Sequence, residues 1–283
     1  LPLIDGGYSL QYSPLMEYRE GSGMVLFCQM DVTGRTESEP AAEILARNMI
    51  SYVSYWKPRE SRQAYYAGSD SGKAHLERSS VTLEDYEGGN LRPTDILIVG
   101  PEGGSKLTVN QKAISKWLKK GGRMLTIGIN MEDIGELLPG LEMKKEEHIS
   151  AYFESQGAGS LLAGIGPADI HNRAPLEVSK ITSGAEVFGD GVLAVTKDNS
   201  TVLCQLVPWQ LDYSKEQHNV KQTFRRSSFL VSRLIGNLDV PGTTKVLDRF
   251  NSPADPVNDK RWLEGLYLDE PEEWDDPYRF FRW

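Results

Sequence analysis

Two glycine-rich segments that lead to a lysine are the first places in this 283-residue chain where residue type and spacing suggest chemistry. Residues 100–107 have the sequence GPEGGSKL, and residues 68–74 have the sequence GSDSGKA. A nucleotide-binding P-loop requires a glycine directly before the lysine and a hydroxyl directly after it. The first segment has neither, and the second lacks both the spacing and the hydroxyl that would hold magnesium. We therefore predict that the chain uses no nucleotide and no other cofactor.

The first of these turns directly follows the apolar run of residues 96–99, which is typical of a buried parallel strand. Sharp turns after such strands can carry the nucleophile of acyl-transfer enzymes. The turn of Gly100, Pro101 and Glu102 resembles the one on which class I glutamine amidotransferases place a nucleophilic cysteine. Because this turn offers no thiol or hydroxyl, we assign no catalytic residue here and expect no acyl transfer. Glu102 is kept as a candidate ligand or interface residue.

The spacing of the histidines and of the carboxylates gives little support for a metal site or for a catalytic carboxylate pair. Metal ligands usually recur at close helical or loop spacing, and no two of the four histidines do, so no metal site is predicted. A pair of carboxylates could hydrolyse a glycosidic bond, but no pair is singled out. The two cysteines lie in apolar runs and are predicted to be buried free thiols. The residues considered are His75, His148, His171 and His218; Asp31, Glu37, Glu39, Asp169 and the acidic cluster at 269–276; and Cys28 and Cys204.

Two loops combine hydrogen-bonding groups with a flat aromatic ring, as sites for sugars or for a neighbouring domain do. One loop carries Asp169, His171 and Arg173, and the other carries Trp209. These four residues join Glu102 as the candidate ligand or interface residues. The alternative is that they only cap and pack their own loops.

The element that must position these groups is the strand, turn, helix and strand of residues 95–129. A capping box of Thr108 and Gln111 predicts the start of the helix, and Gly121 predicts its end. The short crossover implies parallel pairing with a right-handed connection. We therefore predict an α/β fold with a doubly wound, mostly parallel sheet, in which ligands lie beyond the carboxyl ends of the strands, near residues 100–105.

Weaker patterns complete the predicted order of elements along the chain. They predict a hairpin from residues 8–18 and 24–30, a helix from Pro40, strands at 64–67 and near 81–83, and helices at 71–78 and 132–138. They further predict a solvated charge run at 142–147, a strand at 149–153, a hairpin from 192–196 and 201–207, and a helix at 221–238.

A short internal sequence similarity suggests how the chain is divided into domains. Residues 28–30, CQM, align with residues 204–206, CQL, and each ends a predicted hairpin that precedes an amphipathic helix. We predict that residues 1–60 are the closing hairpin and helix of an upstream domain and that residues 61–240 form the α/β domain. Residues 241–283 are acidic but rich in aromatic side chains, so they are predicted to dock on the body as a tail. Chance recurrence of a hairpin and helix is the alternative to a repeat.

Composition limits the partners. The net charge of −9 and the pI near 5.1 argue against a nucleic-acid partner, because no basic stripe is present. No apolar run reaches the roughly 20 residues that span a bilayer, so no membrane insertion is expected. An acidic soluble chain fits the cytoplasm and the periplasm equally.

Several phrases of the sequence together resemble the C-terminal region of large bacterial β-galactosidases related to glycoside hydrolase family 2. The phrases are residues 22–52, 164–173 (GIGPADIHNR), 202–213 (VLCQLVPWQLDY), 221–238 and 267–283. In such proteins this region is similar to glutamine-amidotransferase-like, flavodoxin-like domains or to trimerisation-type domains that have lost the cysteine. The catalytic carboxylates of that family lie on an upstream barrel, and no segment here matches their motifs.

The resemblance implies a non-catalytic accessory domain of a multidomain glycosidase, which serves domain packing, oligomerisation or the rim of a substrate cleft. The implied partners are upstream domains of the same polypeptide, further copies of the chain, or a glycan. Two alternatives stay open, a free-standing carbohydrate-active hydrolase and a carbohydrate-binding module.

Overall fold

A computed structural model describes residues 2–6, 12–20, 23–57, 62–79, 81–134, 136–157, 159–172, 174–211 and 218–240. The chain divides into two compact units, one formed by Leu1–Glu60 with Gly242–Trp283 and the other by Ser61–Pro241. The predicted tail at 241–283 lies outside the described residues. The domain boundaries predicted from the sequence therefore stay a prediction.

The first unit contains a small antiparallel sheet and one helix. Strands β1 (Pro2–Gly6), β2 (Tyr12–Glu20) and β3 (Gly23–Cys28) pair in that order, and helix α1 spans Pro40–Tyr55. Pro40 suits the first helical turn because its missing N–H has no partner there in any helix. The hairpin of β2 and β3 and the helix that starts at Pro40 agree with the sequence prediction.

The second unit contains a larger sheet with helices. Its elements in chain order are β4 (Ala64–Ala67), α2 (Asp70–Arg78), β5 (Leu83–Asp85), β6 (Ile96–Val99), α3 (Gly104–Leu118), β7 (Arg123–Ile127), α4 (Met131–Ile134), β8 (Glu142–His148), β9 (Leu176–Ser183), β10 (Glu186–Phe188), β11 (Leu193–Val195), β12 (Thr201–Cys204) and α5 (His218–Asn237). The sheet has the order β10-β11-β12-β7-β6-β4-β5, and the five strands from β12 to β5 run parallel. Strands β10 and β11 add antiparallel pairs at one edge. The fold is therefore α/β, with a mixed and mostly parallel sheet.

Strand β6 shows why the sheet needs cover on both faces. All four of its side chains are buried. Ile98 lies in the apolar cluster that includes Leu230 of α5, whereas Leu97 lies in the cluster that includes Ile114 of α3. Successive side chains of a strand point to opposite faces, so this uninterrupted apolar run is satisfied only by a layer on each side.

Helix α3 begins four residues earlier than the sequence predicts, at Gly104 instead of Thr108. The extra turn buries Leu107, which joins the same apolar cluster as Ile114. The predicted capping box does not form: the Thr108 hydroxyl donates to the Gly104 carbonyl at 3.1 Å, and the Gln111 amide donates to the Glu136 carbonyl at 2.9 Å. Burial of one more leucine outweighs the local cap.

Residues 142–147 are mostly exposed, as predicted for a solvated charge run, but they also form β8, which pairs antiparallel with β9 and was not predicted. Ion pairs between β8, β9 and their neighbours offset the repulsion among the charges of this strand. Lys145 pairs with Glu177 across the ladder at 3.5 Å, and the buried Lys180 of β9 pairs with Asp190 at 2.5 Å. The strand predicted at 149–153 does not form, although all its residues are described, and the predicted helix at 132–138 shrinks to α4.

Candidate functional site

The order in which strands are added to the sheet reverses between β4 and β6. Parallel sheets of this kind bind ligands in the crevice at such a point. From β4 the chain passes through α2 to β5 on one side, whereas β6 and β7 follow on the other side. Ligands in such sheets lie outside the carboxyl ends of the strands at this point. The crevice here is bordered by Gly68 after β4 and Gly100 after β6.

Two aromatic side chains fill this crevice. A Cβ atom on Gly72 would lie 2.0 Å from the Tyr66 hydroxyl and 3.0 Å from the Trp209 ring, and one on Gly100 would lie 2.5 Å and 3.3 Å from the same two groups. Glycine is required at both positions because a side chain would overlap Tyr66. The place at which a ligand would normally lie is therefore occupied by the protein itself.

The polar atoms of this aromatic cluster are buried with few or no hydrogen bonds. His75 Nε2 and Trp209 Nε1 have no partner among the described residues, and the Tyr66 hydroxyl has only a weak interaction with the Ser69 side chain. Burial raises the pKa of Tyr66 to about 12. Burial and, to a smaller extent, the nearby positive charge of Arg78 lower the pKa of His75 to about 4. The His75 ring lies 5.5 Å from the Trp209 ring between centroids. At neutral pH these groups form an uncharged, largely desolvated cluster.

Glu102 occupies the position at which a nucleophile would stand in a strand-to-helix elbow. Its φ of 72° lies in the left-handed region, and it follows Gly100 and Pro101 directly before α3. Such backbone strain is usual for an elbow nucleophile, and here it presents a solvent-exposed carboxylate instead. Cys204 offers no substitute, since its thiol is buried and its pKa is raised to about 12 by that burial. Both cysteines are free, but Cys28 is only half-buried.

A second feature of the same edge is a cavity of about 220 Å³ beyond the ends of β7 and β12. Strand β9 and Lys145 of β8 also line it. Its polar lining is dominated by amide and hydroxyl groups, and its apolar lining is aliphatic. The lining residues are Gly128, Asn130, Lys145, Leu176, Glu177, Val178, Ser179, Gln205, Val207, Gln210 and Leu211.

The candidate residues from the sequence do not converge on one point. Trp209 lies on a short 3₁₀ turn, Pro208–Gln210, against Tyr66, and Glu102 raises the pKa of the same tyrosine by its charge. Asp169 instead caps another 3₁₀ turn, Pro167–Ile170, where its carboxylate accepts from the Gly166 N–H at 2.8 Å. His171 follows that turn, and its N–H donates to the Ala168 carbonyl at 3.4 Å. Arg173 lies outside the described residues.

Sequence reasoning missed the groups that define the edge, namely Tyr66, His75 and Gln205. Tyr66 lies in an apolar strand and His75 in a short helix, so neither position suggests chemistry. The available signal was the recurrence of glycine at 68, 72 and 100, which indicates a close approach to the backbone. Nothing in the sequence showed that the approaching group is Tyr66.

Comparison with known proteins finds no matching family model and no matching curated protein. Within the described ranges, no helix is both long and apolar enough to cross a membrane. In the same part of the chain, no three His, Cys, Asp or Glu side chains lie close enough together to hold a metal ion.

Proposed function

We propose that this chain is a non-catalytic accessory region of a multidomain bacterial glycosidase of the β-galactosidase type, and that its first unit packs on an upstream domain of the same polypeptide. In this proposal, residues 1–60 complete the neighbouring domain, and the α/β unit is a flavodoxin-like, amidotransferase-like domain that no longer carries a nucleophile.

The observation that carries the proposal is the shallow burial in the first unit. Among the residues of this unit whose burial is described (3–4, 14–17 and 23–57), Leu15 and Ala42 are the only buried apolar side chains. Ile44 and Tyr55 of α1 are 55% and 82% exposed, and they lie on one side of the helix because they are about three turns apart. A helix and a sheet need a shared apolar core to be stable. Exposed apolar side chains on α1, such as Ile44, Ile50 and Tyr55, are what a docking helix presents to a further layer.

The α/β unit supports the second half of the proposal. Counted from β4, its parallel strands have the spatial order 2-1-3-4-5, which is the order of flavodoxin-like sheets. Glu102 replaces the nucleophile at the elbow, and Tyr66 with Trp209 fills the crevice that a substrate would need. A fold that keeps its scaffold while its site is filled is suited to a structural role.

The short internal sequence similarity has a local structural counterpart. The Cys28 thiol lies 4.0 Å from the Met30 carbonyl, and the Cys204 thiol lies 3.6 Å from the Leu206 carbonyl. Each cysteine ends a strand of its sheet. This similarity supports the idea that the first unit is the end of a second, related domain.

The test compares the isolated chain with the longer polypeptide encoded by the reading frame upstream of Leu1. We expect that frame to encode a barrel-sized region with a glycosidase carboxylate pair. We further expect the longer polypeptide to hydrolyse p-nitrophenyl β-galactoside, whereas the isolated chain does not. Turnover by the isolated chain would overturn the proposal.

The docking surface is tested separately with Ile44→Ser and Tyr55→Ser. Both should lower the unfolding temperature of the longer polypeptide by several degrees while changing that of the isolated chain little, because in this proposal these two side chains are buried only in the former. Tyr152→Ser is the matched control, since Tyr152 is also 82% exposed but lies in the second unit. Equal shifts for the control and the two α1 variants would contradict docking through α1.

A further inference from the structure

We propose that the cavity at the ends of β7 and β12 binds a small, uncharged, polyhydroxylated ligand of one ring, such as a monosaccharide. This binding activity goes beyond the packing role and belongs to the isolated chain. It uses none of the residues proposed for docking.

The cavity lies at the edge of the sheet where folds of this class bind their ligands. Gly128 and Asn130 follow β7, and Gln205 and Val207 follow β12, so the cavity opens at the carboxyl edge of two adjacent parallel strands. Ligands of open α/β sheets bind at this edge. Because Tyr66 and Trp209 fill the crevice between β4 and β6, the neighbouring cavity offers a ligand an accessible place at this edge.

Most of the polar side chains that line the cavity are uncharged. Its uncharged hydrogen-bonding side chains are Asn130, Ser179, Gln205 and Gln210. The Ser179 hydroxyl donates to Asn130 Oδ1 at 3.0 Å, which orients the Asn130 amide from one side. Amides and hydroxyls both donate and accept hydrogen bonds, as the hydroxyls of a polyol also do.

Gln205 provides a separate indication of function. It is 4% exposed, and its amide nitrogen has no hydrogen-bond partner among the described residues. A buried polar group without a partner is destabilising, so each one in a native fold requires an explanation. An amide carries a donor on one side and an acceptor on the other, so by turning it can serve either role toward a ligand hydroxyl.

The charges of the lining do not favour an ionic ligand. Lys145 and Glu177 are the two charged lining residues, and they pair with each other at 3.5 Å while remaining largely exposed. Their opposite charges cancel at the mouth, so the cavity has no net attraction for an anion or a cation. An uncharged ligand fits this balance.

Size and apolar lining limit the ligand further. The volume of about 220 Å³ lies below the range of roughly 300–1,000 Å³ found for drug-sized ligands, which leaves room for a single ring. The aliphatic side chains of Leu176, Val178, Val207 and Leu211 also line the cavity. A pyranose has an apolar C–H face and a polar rim, which matches this mixed lining.

The experiment titrates the isolated chain with galactose, glucose and mannose at millimolar concentration, and follows the side-chain amide signals by two-dimensional NMR. We expect one or more of these sugars to shift the signals of Gln205 and Asn130 with a millimolar Kd. Sodium acetate and ammonium chloride serve as charged probes of similar or smaller size, and neither should shift these signals.

Gln205→Leu should weaken sugar binding at least tenfold while the chain stays folded, because the substitution removes a buried amide nitrogen that has no hydrogen-bond partner among the described residues. Asn130→Ala, at an exposed position, should weaken binding and provides a second variant. Gln156→Leu removes an amide away from the cavity and should leave the Kd unchanged. Absence of any sugar-dependent shift, or binding unaffected by both cavity variants, would overturn the proposal. Because Ile44→Ser leaves the cavity intact, sugar binding and docking can fail independently.

Discussion

At the scale of single residues, several buried polar groups have no well-formed hydrogen bond within the part of the chain that the structure describes. Tyr66, His75 and Trp209 share one cluster, and Gln205 lies at the nearby cavity. Each unsatisfied group is expected to be destabilising by about 1–3 kcal/mol relative to an apolar group of the same shape. Their substitution therefore has effects of opposite sign to those at ordinary buried tyrosines or histidines.

Tyr66→Phe should leave the free energy of unfolding unchanged or raise it by about 1 kcal/mol, because the lost hydroxyl makes no well-formed hydrogen bond within the described residues and interacts only weakly with the Ser69 side chain. Tyr86→Phe is the matched control. Tyr86 is also 2% exposed, but its hydroxyl donates to the Gly89 carbonyl at 3.4 Å. The control should lower the free energy of unfolding by about 0.5–1 kcal/mol. Urea denaturation of both variants measures the difference. A Tyr66→Phe variant less stable than the parent chain would show that the Tyr66 hydroxyl makes a stabilising hydrogen bond.

His75 should make the stability of the chain depend on pH. Its pKa in the folded chain is about 4, below its usual value of about 6.5, so the unfolded chain binds the proton more tightly between these values. The contribution is fully present above about pH 6.5 and is lost as pH falls toward 4, a change of roughly 3 kcal/mol.

His75→Phe tests this dependence because it fills the same space without a titrating group. Urea denaturation at pH 7 and at pH 4.5 should show a smaller loss of stability in the variant than in the parent chain. Burial also lowers the pKa of His148, which is present in both proteins, so the variant keeps a residual slope of the same sign. Identical slopes in the two proteins would contradict the shifted pKa of His75.

At the scale of elements, helix α3 shows how a local signal and a tertiary contact share control of one helix. Its end is local: the Gly121 N–H donates to the Leu118 carbonyl, the Gly122 N–H donates to the Trp117 carbonyl, and Gly121 has a φ of 98°. This is the Schellman arrangement that glycine favours. Its start depends on burial of Leu107 and therefore on the sheet beneath it.

The two glycines at this end should differ when each is replaced by alanine. Gly121→Ala meets open space but requires a left-handed alanine, so it should lower the free energy of unfolding by about 1 kcal/mol. A Cβ on Gly122 would lie 2.1 Å from the Trp117 ring, which is buried and donates to the Arg92 carbonyl at 2.7 Å. Gly122→Ala should therefore be destabilising by about 2–3 kcal/mol. Thermal unfolding of the pair checks the order, and equal effects would rule out the clash.

At the scale of the whole molecule, the two units differ in how much apolar surface they bury. The second unit has an apolar cluster on each face of its sheet, whereas the described part of the first unit buries two apolar side chains. Hydrophobic burial is the main favourable term in folding. Within the described residues, the apolar burial that stabilises the chain is therefore concentrated in the second unit.

Hydrogen exchange of the isolated chain should reveal this difference. Amides of β6 and β7 should exchange only through global unfolding, whereas amides of β3 and α1 should exchange at least tenfold faster through local opening. In the longer polypeptide, the amides of α1 should exchange more slowly if its exposed apolar side chains are covered. Equal protection of β3 and β6 in the isolated chain would show that the first unit has a full core of its own.

The sequence by itself determined the local features whose cause is local. The uninterrupted apolar run of β6 predicts a buried parallel strand, Pro40 predicts the start of α1, and Gly121 predicts the end of α3. Each of these signals depends on the residue and its immediate neighbours, so it can be recognised without tertiary contacts. The α/β class with a mostly parallel sheet follows from such signals.

Tertiary structure alone decided the features that join distant residues. The charged residues of β8 form a strand because β9, about thirty residues later, offers pairing and opposite charges. The crevice at β4 and β6 is filled because Trp209 reaches Tyr66 across the sheet, and the cavity exists because β9 borders the ends of β7 and β12. Contacts of this kind depend on the packing of whole elements, for which the sequence contains no local signal.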